Sequence, residues 1–261
     1  AGASAALALV CLTLINPGAE VLMPDPSYPA NQNFILSAGG QPRLIPTSAE
    51  HRFHPTAADI EAHWTDQTRG VLIASPSNPT GTSVERDALQ ALIREVRQRG
   101  GFIIMDEIYL GLYYDGTPKS ALTLDDNIII VNSFSKYFHM TGWRLGWMIV
   151  PEALLAPIEK LAASLAICAP TLSQHAALTC FDPEVMQIYE KRKQSLKQRR
   201  DYLVPALENL GLTVPVKPDG AFYIYADIRP AHASYTLRFS YATGLERLEE
   251  AVARMARFLG V

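Results

Sequence analysis

Lys136 closes the run Ser133-Phe134-Ser135-Lys136, where an apolar stretch that reads as a strand gives way to hydroxyl-bearing residues. A lysine withdrawn from water loses part of its preference for the charged form, and the neutral amine is a nucleophile toward carbonyl groups. The plain alternative is a surface lysine. Asp106 heads Asp106-Glu107-Ile108-Tyr109, directly after the apolar run 101–105. A carboxylate at the end of a buried strand needs a cation or hydrogen-bond donors, so it forms either a structural ion pair or the seat of a cationic ring. Arg144 follows Lys136 by eight positions inside Gly142-Trp143-Arg144-Leu145-Gly146-Trp147, where glycines allow close backbone approach. Its fork of donors suits a phosphate held by two bonds, or an acidic side chain. SPSNPTG at 75–81 sits after a strand-like run and before a helical pattern, and taken alone is a Pro/Gly turn.

Such side chains meet only if the strands that carry them end together. Apolar stretches at 20–23, 41–45, 70–74, 102–105, 127–131 and 145–150 read as strands, several nearly continuous in Val, Ile and Leu. That is the texture of strands covered on both faces, and it predicts an α/β fold with a mainly parallel sheet sandwiched by helices. Helical patterns at 29–37, 57–64 and 84–98 supply crossovers. Ligands in these sheets sit beyond the carboxyl ends of the strands. The apolar run 5–15 lacks a basic flank, is too short to cross a bilayer and stops at Asn16-Pro17-Gly18, so it reads as a buried helix.

Beyond Pro151 the texture shifts to long helices, with a charged run at 189–202 that reads as a solvated interdomain helix. Two strand-like pieces within 212–228 surround Pro218-Asp219-Gly220, followed by a strand at 235–241 and a helix at 245–259. The expected division is a large domain at 1–185 and a smaller α+β C-terminal domain at 186–261.

Composition narrows the function classes. With 48% hydrophobic and 19% charged residues the chain has the balance of a globular protein, and its net charge of -3 offers no broad attraction for nucleic acid or a membrane surface. Cys11, Cys168 and Cys180 show neither metal-finger spacing nor a disulfide framework, which suits a reducing, cytoplasmic compartment. The six histidines, His51 and His54 among them, form no convincing ligand set, so no metal is expected.

In this order, SPSNPTG, DEIY, SFSK and GWRLGW resemble the class I/II aminotransferases, the aspartate-aminotransferase-like enzymes of pyridoxal 5′-phosphate (PLP) fold type I. The resemblance runs from Gly2 to the last helix and takes in Asp25-Pro26-Ser27-Tyr28-Pro29 and Leu237-Arg238-Phe239-Ser240. It implies a large domain on a seven-stranded-type sheet, and a homodimer with active sites near its interface. By this resemblance Lys136 would hold PLP as a Schiff base, the internal aldimine, and once displaced by substrate would move the proton between Cα and the cofactor's C4′ carbon. Asp106 would keep the pyridine nitrogen protonated, which makes the ring an electron sink. Tyr109 and Asn78 would hydrogen-bond the ring's phenolic oxygen. The phosphate would lie at the amino end of the first helix, against Gly2, Ala3 and Ser4, with Ser133, Ser135 and Arg144 completing its cradle. Tyr28 would stack on the ring, or else merely anchor its turn. Arg238 would bind the substrate's α-carboxylate through paired bonds, with Asn78 also at the substrate.

Family members are longer than this chain. They carry a segment ahead of the phosphate helix, and a helix and strands between the counterparts of FYIYADI and LRFSYA, whereas here Ile228 and Leu237 stand nine positions apart. A stretch is therefore expected to be missing around 229–233. Because a true deletion would expose apolar surface, the expectation is that these residues are the ordered parts of a longer protein. The function implied is transfer of an amino group from an L-amino acid to a 2-oxo acid through a pyridoxamine phosphate form. The same constellation serves PLP-dependent C–S or β-eliminating lyases. A PLP-binding effector domain of a transcriptional regulator is a third possibility, and would need a DNA-binding module upstream.

Overall fold

The computed structural model describes residues 1–229 and 235–261. Apart from Arg229, the stretch expected to be missing at 229–233 lies outside the described residues. The first part of the chain alternates helix and strand: α1 (Gly2–Leu14), β1 (Glu20–Asp25), α2 (Pro29–Ser37), β2 (Gln41–Pro46), α3 (Ala57–His63), β3 (Thr68–Ala74), α4 (Arg86–Gln98), β4 (Phe102–Asp106), β5 (Ile129–Ser133) and β6 (Gly146–Ile149). The strands form one sheet in the order β2-β1-β3-β4-β5-β6, parallel except for β6, which pairs antiparallel with β5. This is the expected α/β sandwich. Among the described residues the sheet has six strands, one short of the seven-stranded type.

Period-two geometry explains why these strands are apolar throughout, since successive side chains point to opposite faces and here both faces are covered. Val21, Met23, Leu72, Ile104, Ile129 and Val131 join one core with Leu7, Val10 and Cys11 of α1 and Ile35 of α2. Their chain neighbours Leu22, Val71, Ile73, Ile103, Met105 and Ile130 join the other, with Ile60 of α3 and Leu89, Leu92 and Val96 of α4. A reciprocal cap starts α3, where the Thr56 side chain accepts from the Asp59 N–H while the Asp59 carboxylate accepts from the Thr56 N–H.

After α5 (Glu152–Leu165) and α6 (Thr171–Leu178) comes α7 (Pro183–Asn209), then β7 (Tyr223–Asp227), β8 (Thr236–Ser240) and α8 (Leu245–Leu259). β7 and β8 form a separate antiparallel pair. Helix α7 outruns the charged segment 189–202 because Leu203, Val204 and Leu207 seat its last turns in a third core, with Ile224, Tyr241 and Leu248. The boundary expected at 185/186 falls in its first turn. Of the two strand-like pieces expected within 212–228, the second becomes β7; the first makes a single bridge, Thr213 to Asp227, because Pro215 and Pro218 remove ladder donors. Arg200 of α7, 1% exposed, donates to the Pro218 carbonyl at 2.8 Å and lies 5.0 Å over the Tyr114 ring. It ties the helix to the turn that leads into β7. Among the described residues, no helix is long and apolar enough to cross a membrane.

Candidate active site

β1 is flanked by β2 on one side and β3 on the other, so the connections leaving its carboxyl end and that of β3 diverge. Such a switch point opens a crevice at the strand ends. Tyr28 follows β1, Asn78 follows β3, Asp106 ends β4 and Ser133 ends β5. Because β6 runs antiparallel, Arg144, just ahead of its first residue, arrives at the same edge. All of them line one cavity of about 360 Å³, together with Ala3, Ser4, Tyr109, Ser135, Lys136 and Arg238. That volume lies within the roughly 300–1,000 Å³ of small-molecule sites. Leu7, Ala74, Ile108, Thr141 and Tyr223 line it too, and none was singled out from the sequence. Thr141 stands one residue before GWRLGW and was within reach of that motif. Tyr223 carries no local signal.

Asp106 is buried, and its Oδ1 accepts from the Ile108 N–H at 3.0 Å. Burial pushes its carboxyl up to about 6, against the opposing pull of that N–H and of Lys136. Among the described residues no cation contacts it. Glu107, the next residue, turns away from this cavity: its Oε1 accepts from the Ala121 N–H at 2.7 Å and the Ser120 hydroxyl at 3.1 Å. The Lys136 ammonium lies 5.6 Å from the Tyr109 ring centroid and 5.7 Å from that of Phe222. Burial lowers its pKa; Asp106 opposes the shift and Arg144 adds to it. Tyr109 is buried, with its hydroxyl 2.9 Å from that of Tyr223, and burial holds its phenol far above the usual range.

A second group of residues converges on α1. That helix has no side-chain cap and no acid in its first turn, so its first N–H groups and the positive end of its dipole remain available to an anion. Arg144 adopts a left-handed backbone, φ 52°, uncommon outside glycine and a mark of functional sites. Its Nη1 donates to the Thr141 carbonyl at 3.0 Å. A Cβ at Gly2 would lie 2.9 Å from Arg144 Nη2, and one at Gly146 would lie 2.9 Å from the Ala3 nitrogen. Glycine at both positions lets the arginine fork, the helix start and β6 touch. The Ser133 hydroxyl donates to the Leu145 carbonyl at 3.2 Å and accepts from the Ser135 N–H at 3.0 Å. Thr141 closes the turn onto the Ser135 carbonyl at 2.8 Å.

Arg238 reaches in from β8. Its Nη1 donates to Asn78 Oδ1 at 2.8 Å, and its guanidinium lies 4.7 Å over the Tyr223 ring. The donor set therefore fits PLP: a buried carboxylate without a contacting cation for a basic ring nitrogen, an amine of lowered proton affinity, and helix N–H groups with an arginine for a phosphate.

The family model for aminotransferase class I and II matches residues 1–258, and the chain belongs to that family. It is 35% identical to a putative aminotransferase, YugH, of Bacillus subtilis over 289 aligned positions, covering 99% of this chain and 74% of the relative. Those positions outnumber the chain's 261 residues, so the relative has residues inside the aligned region with no counterpart here. Identity to the valine–pyruvate aminotransferase of Mycobacterium tuberculosis is 38%, over 87% of this chain and 59% of that protein. The crystal structure of an aromatic aminotransferase from Pyrococcus horikoshii superposes with a TM-score of 0.93 at 32% identity, covering 99% of this chain and 78% of that one.

Proposed function

We propose that the chain forms the PLP-binding core of an aminotransferase that moves an amino group from an L-amino acid to a 2-oxo acid, with 1–185 as its large domain and 186–261 as its small one. The observation that carries this is a single cavity holding Lys136, Asp106, Arg144, the amino end of α1 and Arg238. Bound there, PLP supplies a carbonyl that condenses with amines and a protonated ring that draws electrons from the substrate's Cα.

Lys136, whose hold on its proton burial weakens, would carry the cofactor covalently and, once released, would serve as the base at the substrate's Cα. Asp106 holds the proton on the ring nitrogen. Burial alone disfavours the lone carboxylate anion, raising its pKa to about 6, and a cationic ring nitrogen would supply the opposite charge that its site lacks. Tyr109 and Asn78 donate to the phenolic oxygen. The Ala3 and Ser4 N–H groups, the Ser135 hydroxyl and Arg144 grip the phosphate, and Ser133 braces the turn that presents Ser135. Tyr28, an exposed residue lining the cavity, would cover a ring face. Arg238, steadied by Asn78, binds the α-carboxylate.

The proposal extends to a cytoplasmic homodimer. Cys11, Cys168 and Cys180 are all free thiols, and Leu165, Ile167, Leu172, Leu178 and Phe181 leave apolar surface that a second copy can cover. Relatives named for valine, aspartate and arginine support the reaction and leave the donor's side chain to be identified by assay. The test is to load the protein with PLP and follow an isotope-labelled amino group from single amino acids to an added 2-oxo acid. Transfer is expected in the wild type, and Lys136→Ala should lower it by about 10⁴-fold and abolish the borohydride-fixed cofactor mass. Transfer undiminished in that variant, or ammonia and pyruvate released without transfer, sinks the proposal.

A further inference from the structure

We propose that Tyr223 is a positioning residue, its hydroxyl orienting the Tyr109 phenol and its ring holding the Arg238 guanidinium, so that one side chain of the two-stranded sheet serves both cofactor and substrate. This rests on the aminotransferase reading above. Tyr223 is the first residue of β7 and is 7% exposed. In the β7–β8 register Arg238 stands opposite Tyr225, while Tyr223 stands opposite Ser240. Side chains two apart along a strand share a face, so Tyr223 is the diagonal neighbour of Arg238, about 7–8 Å away between strands and within reach of a long side chain. Arg238 takes that diagonal, its guanidinium 4.7 Å from the Tyr223 ring centroid. From that platform it reaches Asn78.

The hydroxyl of Tyr223 has one partner among the described residues, the Tyr109 hydroxyl at 2.9 Å, and the two rings meet edge to face at 5.7 Å. Each phenol has one proton. When Tyr109 gives its own to an acceptor in the cavity, the remaining bond between the two oxygens requires Tyr223 to be the donor. A donor that itself accepts a hydrogen bond is polarised and donates more strongly. Tyr223 thereby fixes the direction of the Tyr109 proton, toward the cavity, and strengthens the bond made there. It acts through Tyr109 and Arg238, without needing to touch the reacting atoms.

The two roles use different parts of the side chain, and two substitutions separate them. Tyr223→Phe keeps the ring and removes the donor. In the PLP-loaded protein without substrate, the pH midpoint of the visible absorbance transition should rise by about half a unit, because a weaker bond from Tyr109 stabilises the deprotonated form less. Its KM for the amino acid should stay at the wild-type value. Tyr223→Leu removes the ring as well and should raise that KM by about five-fold, with the same upward midpoint. An unmoved midpoint in Tyr223→Phe overturns the first role even if the leucine variant fails to fold. Equal KM values in the two variants overturn the second. A wild type with no such transition removes the aminotransferase reading and this inference with it, whereas a wild-type transition unmoved by Tyr223→Phe removes only the inference.

Discussion

β4 and β8 each deliver a charged side chain to the cavity from opposite circumstances. β4 is buried along 103–106, and Asp106 at its end has a pKa displaced by burial. β8 exposes every residue except Phe239, which is half-buried, and Arg238 works from a strand whose Leu237 is 47% exposed. A strand sandwiched between two layers holds its last residue in one place and withholds water from it. In the two-stranded pair the partner strand β7 takes the buried seat through Ile224 and Ala226, and exposed β8 steadies Arg238 through its reach to Asn78 and its contact with Tyr223. Chemistry that depends on a fixed, dry charge belongs on the first, and recognition of an incoming carboxylate belongs on the second.

Asp106→Asn breaks the first half of this comparison and should have the largest effect of the three substitutions that test it. Asparagine can still accept from the Ile108 N–H, so the fold persists, yet the charge on the ring-nitrogen side is gone, and the transfer rate should fall by about 10³-fold. Full turnover in single-turnover kinetics would dismiss Asp106 as the ring partner. The same variant has a pH signature in the cofactor-free protein. Folding raises the Asp106 pKa to about 6 from the ordinary 3.8, so the folded state binds the proton more tightly than the unfolded chain. Stability should therefore decline by up to about 3 kcal/mol as pH climbs from about 4 to about 6, then level off. Urea unfolding of Asp106→Asn over that window should lack the slope, and a slope equal to the wild type's would assign it elsewhere.

Arg200→Met tests the attachment of the two-stranded sheet. Losing a charged bond to the Pro218 carbonyl and the contact with Tyr114 should cost about 3 kcal/mol, with amide protection in β7 and β8 falling before that in β3 to β5. Uniform loss across both sheets would mean that the two are not separately held. Arg238→Ala has the smallest expected effect: KM for the amino acid rising by roughly 10- to 100-fold while kcat stays within a few-fold. A kcat collapse with unchanged KM would move Arg238 from carboxylate binding to the chemistry itself.

The legible parts of the molecule are those with local chemical punctuation. Pro29 at the first turn opens α2, and Gly244 and Gly260 bracket α8, so both helices have the bounds that the sequence implies. The motifs at strand ends were legible for a related reason: a parallel sheet gathers its carboxyl ends, so residues far apart in the chain converge there. The direction of β6 was not, because four residues of Gly146–Ile149 carry no mark of polarity. Pro205 argues for a stop that α7 ignores, its last turns being held by Leu203, Val204 and Leu207 in the core. Tyr223 escaped because alternation groups it with Tyr225 and Asp227, on the face opposite Ile224 and Ala226, and its partner Tyr109 lies 114 positions earlier.

Asp106 and Glu107 are adjacent, yet one lines the cavity and the other secures the backbone at Ala121. Their order works as a directional code. Removing a single residue from β4 would turn the pair by one step, bringing the longer glutamate arm into the cavity and taking the acceptor from the Ala121 N–H, whereas adding one would put an apolar residue in the cavity and the shorter aspartate beside Ala121. The length of β4 is thus under constraint from both sides of the sheet at once. Exchanges among apolar residues at 103–105 should be tolerated there, whereas changes in chain length should be forbidden.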